Sequence, residues 1–254
     1  MTSSTYLFIL HFFGINGDDA LTLAVCILFG GFMGLLDDWI DLRWRYKALT
    51  PLIASLPLVT MRKGETVMAT YFFGKIDFGI YFYLVVTPLI ITVTTNTVNQ
   101  LGGLNGLETI CPSIVMVGLM ASSPKRVMLI VPLATYIILS YFNYKGRIFV
   151  GNVGSFSAGI TLASFAILSN IEQTLLISIS PYIINSLMIL INIIFFKKKA
   201  KLILEGNRLY SDHVRSLQTL IAYKRKLTEH QIVNLCSLII GFTTSLAVIV
   251  WVIQ

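Results

Sequence analysis

Of 254 residues, 56% are hydrophobic and only 12% charged, and the mean hydropathy is +0.79, which excludes an ordinary soluble domain, where about a quarter of residues carry charge. The formal net charge of +7 would suit a nucleic acid. The basic residues, however, fall in loops beside apolar runs, where lipid headgroups or an anionic substrate are nearer counterions, so a nucleic-acid partner is set aside.

Apolar runs recur down the whole chain with charges confined between them. They predict an all-α, polytopic transmembrane helix bundle: one domain over residues 1–254, about eight full spans, one partial N-terminal span and a small non-cytoplasmic hairpin. The first run, Thr5 to Ile15, is too short to cross a bilayer and lacks the basic start and cleavage site of a signal peptide. It reads as the outer half of a helix whose beginning is missing.

The first full span covers 19–37 and ends on Asp37 and Asp38, with Asp41 one turn further on and facing the same way if the helix continues. Carboxylates held together at a membrane boundary are costly unless a cation or proton shares the site. A solvated acidic helix end is the plainer reading. It weakens here because Arg43, Trp44, Arg45 and Lys47 follow at once, so acids and bases converge.

A second span is predicted over 48–62, and Glu65–Phe78 alternates around Gly74-Lys75 as a short non-cytoplasmic hairpin. After the span 80–98 comes the string Asn96–Glu108, in which Gly102, Gly103 and Gly106 allow close backbone approach and Asn99 and Asn105 offer amide oxygens. The alternative is a polar turn between spans. Spans over 107–121 and 126–142 lead to Gly146–Ser155, a glycine-rich turn opening the span 154–170 and suited to an anion at a helix N-terminus.

A single span is predicted over 173–196, then a polar segment Lys197–Glu229 whose Leu217–Tyr223 part has the character of an amphipathic helix lying on the membrane, then a last span over 230–252. Cys26, Cys111 and Cys236 have no metal or disulfide spacing and read as free apolar residues. His11, His213 and His230 have no motif partner and are assigned to the surface, and Glu65, Asp77 and Glu172 read as solvated loop charges on the other face.

If the loop after Asp37 is cytoplasmic, that face carries Arg43, Arg45, Lys47, Lys145, Arg147, Lys197, Lys198, Lys199, Lys201, Arg208, Arg215, Lys224, Arg225 and Lys226, while Arg62, Lys63, Lys75, Lys125 and Arg126 lie opposite. Fourteen against five is a positive-inside bias, and it supports the alternation of spans. That alternation also brings the Asp37, Asn99 and Gly151 strings and the basic run Lys197–Lys201 to one face. Acids for a metal and glycine turns and bases for phosphates then share a surface.

The string GFMGLLDDWIDLRWRYKALTPLIASLPL, Gly31–Leu58, closely resembles the UDP-N-acetylglucosamine:dolichyl-phosphate N-acetylglucosaminephosphotransferases, members of the polyprenyl-phosphate N-acetylhexosamine-1-phosphate transferase superfamily. LGGLNGLE, Leu101–Glu108, and IFVGNVGSFSAGI, Ile148–Ile160, resemble the next two motifs of that family in the same order. The resemblance covers about residues 5–196 and, more loosely, the last helix; its first string, with the LRWR-x-K continuation, is the most specific.

The resemblance implies transfer of GlcNAc-1-phosphate from UDP-GlcNAc to dolichyl phosphate, the first step of lipid-linked oligosaccharide synthesis for protein N-glycosylation, at the cytoplasmic face of the endoplasmic reticulum membrane. It implies Mg²⁺, replaceable by Mn²⁺, as cofactor. By the same resemblance Asp37, Asp38 and Lys47 are catalytic, Asn99 and Asn152 hold metal, and Asp41, Asn105, Gly106, Glu108, Lys197 and Lys199 bind substrate. An already ionised phosphate needs little general-base help, so the aspartates are weighed toward positioning and electrostatics. The bilayer is a partner, and association as a homodimer stays open.

Three departures from the family bear on activity. Asn152 stands where the family has a metal-binding aspartate, and an amide oxygen brings no negative charge. The family's first helix and a following loop are missing, and Lys197, Lys198, Lys199 and Lys201 stand where the family has an Arg-His-Arg element. A catalytically silent family member that binds lipid or UDP-sugar, or a relative using another polyprenyl phosphate or UDP-sugar, is therefore the alternative. A transporter fits less well, because the polar clusters lie at one face and not at the bilayer midplane.

Overall fold

The computed structural model describes residues 1–70, 74–196 and 201–253 and places a helix at every predicted apolar run. In chain order these are α1 Thr2–Phe12, α2 Gly17–Ile40, α3 Trp44–Thr60, α4 Thr87–Gln100, α5 Leu107–Ala121, α6 Ile130–Tyr144, α7 Gly151–Ser169, α8 Glu172–Ser178, α9 Ser180–Ile191, α10 Leu217–Ile221 and α11 Glu229–Ile253. A π-helical turn, Phe82–Val86, leads into α4, and a 3₁₀ turn, Arg126–Leu129, leads into α6.

The helices that stand at the eight predicted spans differ in length. Among the described residues five helical stretches are long and apolar enough to cross a membrane, Gly17–Ile40, Phe82–Gln100, Arg126–Tyr144, Gly151–Leu168 and Glu229–Ile253. The pair Glu172–Ser178 and Ser180–Phe195, bent by 58°, makes a sixth. With 17 residues in α3 and 15 in α5, both fall short of the ~20 that cross upright. The chain is a multi-pass membrane protein all the same.

The run predicted as one span over 173–196 is broken at Ile179, and the next helix restarts on Ser180-Pro181. Proline suits a first turn, where its missing N–H costs nothing.

At the centre stands α7, buried on nearly every side from Ser155 to Leu168 and packed against α2, α4 and α5. A helix apolar all round has no solvent or lipid face to keep. Gly30 and Gly34, one turn apart on α2, let it approach α7 closely: a Cβ on Gly30 would meet the Ile160 side chain at 2.3 Å, and one on Gly34 would meet the Asn152 carbonyl oxygen at 2.4 Å. Where lipid replaces water, such small-residue contacts carry helix association.

Two hairpins flank the bundle. The predicted one is β1, Val67–Thr70, paired antiparallel with β2, Gly74–Asp77. Hydrogen bonds from the Gly79 N–H and the Thr66 side chain hold the exposed Asp77 carboxyl below the usual carboxylate range.

The second hairpin, β3 Ile203–Glu205 with β4 Arg208–Tyr210, falls in the segment predicted to be merely polar. Its two-residue turn begins at Gly206, with φ +61°. Of the amphipathic helix expected over Leu217–Tyr223, the structure forms the five residues of α10. It is capped by Ser216 and docked on the bundle, its Leu217 N–H donating to Asn185 Oδ1 at 2.8 Å.

At the end of the bundle where α2 begins, Asp19 pairs with Lys63 at 3.1 Å and Lys125 at 2.8 Å, and Lys125 also donates to the Leu168 carbonyl. These contacts tie α2 and α7 to the connections that follow α3 and α5. Nearby, Glu172 is not the solvated charge expected: it is 4% exposed at the start of α8, and its Oε1 has no partner among the described residues. The helix it opens, α8, packs against α5, α7, α11 and β1. The three cysteines are free and buried, as expected.

Candidate active site

The other end of the bundle gathers most of the predicted residues. Asp37, on the last turns of α2, is 3% exposed, whereas Asp38 beside it is open to solvent. The helix ends at Ile40, so the condition that would put Asp41 on the face of Asp37 and Asp38 is not met. Asp41 takes the left-handed conformation, φ +49°, which aspartate tolerates better than most residues, and α2 stops there. The turn lets α3 start at Trp44, which puts Lys47 on a helix and not in a loop.

From that first turn the Lys47 ammonium forms an ion pair with Asp37 and donates to the Asn152 amide oxygen at 3.0 Å. The amide of Asn152 in turn donates from Nδ2 to Asp38 Oδ1 at 2.8 Å. Asp38 also accepts the first backbone amides of α7, from Asn152 at 3.1 Å and Val153 at 3.2 Å. The glycine-rich turn predicted to offer its helix N-terminus to an anion therefore already holds one, a carboxylate of the same chain. Gly151 makes this possible, with φ +64° and a hydrogen where a Cβ would sit 2.8 Å from Asp38 Oδ2.

One turn along α7, Ser155 donates its hydroxyl to Asn99 Oδ1 at 2.6 Å, which brings the end of α4 into the same cluster. Asp37, Asp38, Lys47, Asn99 and Asn152 thus form one connected polar group around the start of α7. Among the described residues no three His, Cys, Asp or Glu come together as a metal-binding group.

Beside it lies the turn 101–106, held by four elements. Asn105 N–H donates to Glu229 Oε1 of α11 at 2.7 Å, and Gly106 N–H donates to Asn143 Oδ1 of α6 at 2.7 Å. Gln218 of α10 donates to the Leu101 and Gly102 carbonyls at 2.7 and 2.8 Å, and Glu108 accepts the Gly103 N–H at 3.2 Å. Asn143 also donates to the Ile148 carbonyl at 3.0 Å, so one buried amide clamps both glycine-rich strings.

A small cavity of about 60 Å³ opens between this turn, Glu108 and the Phe149 ring, which is 83% exposed. It adjoins a larger cavity of about 390 Å³ under the second hairpin, sharing Leu104 and Glu229 with it.

Asn143, Phe149, Ser155 and Glu229 were not singled out from sequence. Asn143 had a readable signal, a carboxamide near the end of an apolar helix, where an unpaired polar group is costly. Lys197 and Lys199 lie outside the described residues.

Residues 20–170 match the profile of glycosyl transferase family 4. Among relatives, a Saccharolobus solfataricus protein provisionally named as a UDP-N-acetylglucosamine–dolichyl-phosphate N-acetylglucosaminephosphotransferase is 28% identical over 80% of this chain and 66% of its own length. A Dictyostelium discoideum protein bearing that enzyme name is 31% identical over 66% of this chain and 50% of its own. A phospho-N-acetylmuramoyl-pentapeptide-transferase of Prochlorococcus marinus is 27% identical over 75% of this chain and 59% of its own. The chain thus spans about half to two thirds of the length of the curated relatives it matches.

Proposed function

The chain belongs to glycosyl transferase family 4, and from that premise we propose that it transfers GlcNAc-1-phosphate from UDP-GlcNAc to dolichyl phosphate, giving GlcNAc-diphosphate-dolichol and UMP. An oxygen of the lipid phosphate attacks the β-phosphorus of the nucleotide sugar. The bond from that phosphorus to the bridging oxygen breaks, and its electron pair leaves on UMP.

The observation that carries this reading is the placing of Lys47 between Asp37 and Asn152, beside the Asp38-capped start of α7. Phosphoryl transfer asks a protein chiefly for charge neutralisation and in-line positioning. The Lys47 ammonium supplies a cation for the diphosphate, and buried Asp37 fixes where that ammonium stands. The attacking phosphate is ionised already, so Asp38 has no proton to remove and acts by holding α7. Beside the turn 101–106, the exposed Phe149 ring offers a stacking face to the uridine.

Asp37, Asp38, Asn99 and Asn152 present the hard oxygen donors that Mg²⁺ takes, so the residues fit that ion in kind, and Mn²⁺ as its substitute. When bound, the ion neutralises diphosphate charge as it passes to the leaving group. The basic surplus on this side supports a cytoplasmic site. The membrane is the one that builds lipid-linked oligosaccharides for protein N-glycosylation, in a eukaryotic cell the endoplasmic reticulum.

The test is a membrane assay with labelled UDP-GlcNAc, dolichyl phosphate and Mg²⁺, run beside UDP-MurNAc-pentapeptide with undecaprenyl phosphate. Labelled lipid and UMP from the first pair are expected; product from the second pair alone overturns the substrate assignment. A second reading, a silent member that binds UDP-sugar without turnover, draws on Asn152, and binding with no product even in Asn152→Asp would favour it.

A further inference from the structure

Most of the oxygens that would hold a metal here are already engaged by donors of the chain itself. Asp37 is met by the Lys47 ammonium, which also takes Asn152 Oδ1 at 3.0 Å. Asp38 accepts three N–H groups, from Asn152 Nδ2 and the backbone of Asn152 and Val153. Asn99 Oδ1 accepts the Ser155 hydroxyl at 2.6 Å. The two carboxylates and one ammonium of this cluster sum to a formal charge of −1.

We infer that the free protein binds no divalent cation at this site, and that the metal enters only together with a nucleoside diphosphate, because Asn152 cedes the cation's place to the ammonium of Lys47. This rests on the reading of the site as one for a UDP-sugar. Magnesium sheds its water reluctantly and is held in such sites by one or two carboxylates together with substrate phosphates. A cluster of net charge −1 in which Asp38, Asn99 and Asn152 already accept N–H and O–H donors gives it little reason to bind. A carboxylate at position 152 would change both terms: it adds a negative charge, and it turns the Nδ2 donor that now satisfies Asp38 into a second anion facing it.

A nucleoside diphosphate supplies what is missing. Its oxygens bring negative charge, chelate the ion themselves and give Lys47 a new anion to pair with, so that Asn152 Oδ1 is released. Metal affinity and diphosphate affinity are then coupled, each raising the other by the same factor. Asn152 and Lys47 act in this as positioning residues.

The experiment uses the full chain in lipid nanodiscs and follows protein-bound Mn²⁺ by electron paramagnetic resonance, with no turnover required. With Mn²⁺ alone at about 1 mM, in the range of weak biological sites, the unaltered chain should show no bound signal. Adding UDP should produce one. Asn152→Asp should bind Mn²⁺ without UDP, tighter than the unaltered chain by about tenfold or more, as ligand charge sets affinity.

Lys47→Met is the second variant, since removing the ammonium should also open the site to Mn²⁺ alone, and should let Mn²⁺ raise its melting temperature. Mn²⁺ bound to the unaltered chain without UDP as tightly as to Asn152→Asp overturns the inference. So does failure of both variants to gain metal. UDP binding is read separately by calorimetry: its absence overturns the UDP-sugar reading, while the arms with Mn²⁺ alone still decide the metal question.

Discussion

A methyl group on Gly34 would stand 2.4 Å from the carbonyl oxygen of Asn152, so the end of α2 and the first turn of α7 touch backbone to backbone. The contact lies one helical turn before Asp38, whose carboxylate caps that same turn of α7. Gly34→Ala should therefore push apart the two strands of polypeptide that carry Asp37, Asp38 and Asn152. A loss of about 1–3 kcal/mol in stability, as for overpacked interiors, is expected together with a larger loss in kcat. Gly31→Ala is the control, because its Cβ would meet only the Ser157 hydroxyl at 3.3 Å; thermal unfolding and the transfer assay on both variants check this.

Asn143 holds the two glycine-rich strings together through Gly106 N–H and Ile148 C=O. Asn143→Ala strands both groups at a site where the side chain is 3% exposed. Each stranded group costs about 1–3 kcal/mol. Calorimetry should find UDP affinity weakened more than tenfold, while affinity for prenyl phosphate moves much less.

The ion pair of Lys47 with Asp37 is one-sided in burial, the two side chains being 29% and 2% exposed. Lys47→Met leaves the aspartate without its cation, for which about 3 kcal/mol is the expected cost in metal-free buffer, near the low end for breaking a buried pair. The double variant with Asp37→Asn should recover part of it, since the uncompensated charge is then gone. A double-mutant cycle on unfolding midpoints gives the coupling. Equal stability of the single and double variants would show that the pair is not what holds Asp37.

Asp19 offers the converse experiment, at the far end of the bundle from the site. Asp19→Ala removes the contacts to Lys63 and Lys125, all three side chains being partly exposed. A loss of roughly 1–2 kcal/mol is expected, the upper range for such pairs. Nucleotide affinity and kcat should stay within about twofold, because distant sites act independently.

Much of the site was readable in the sequence because the membrane makes polar residues expensive. Asp37, Asp38 and Lys47 at the edge of an apolar run needed a reason to be there, and the structure brings them into one cluster with Asn99 and Asn152. What could not be read was each partner's place in three dimensions. Asp38 looked free to work on a substrate, yet it spends its lone pairs on α7.

Glu172 was misread for the opposite reason. It follows the turn at Asn170, a position that looks solvated, but the neighbours that bury it come from distant parts of the chain. The strands of the second hairpin, three residues each, are too short for alternation to declare itself, although Gly206-Asn207 is a recognisable turn. The Gly30-x-x-x-Gly34 spacing was visible too, but its meaning depends on what lies opposite.

The bond from Asn105 N–H to Glu229 joins residues 124 apart in the chain. During synthesis the turn 101–106 leaves the ribosome long before α11 exists, at about 5–20 residues per second some 6–25 s earlier. For that interval one of its backbone amides has no carboxylate to meet. The turn 101–106 is thus completed only once α11 is in place, and if that turn holds the nucleotide as proposed, a ribosome-bound chain stalled before Glu229 should not yet bind UDP. Insertion of α11 then sets the moment at which this turn gains its final shape.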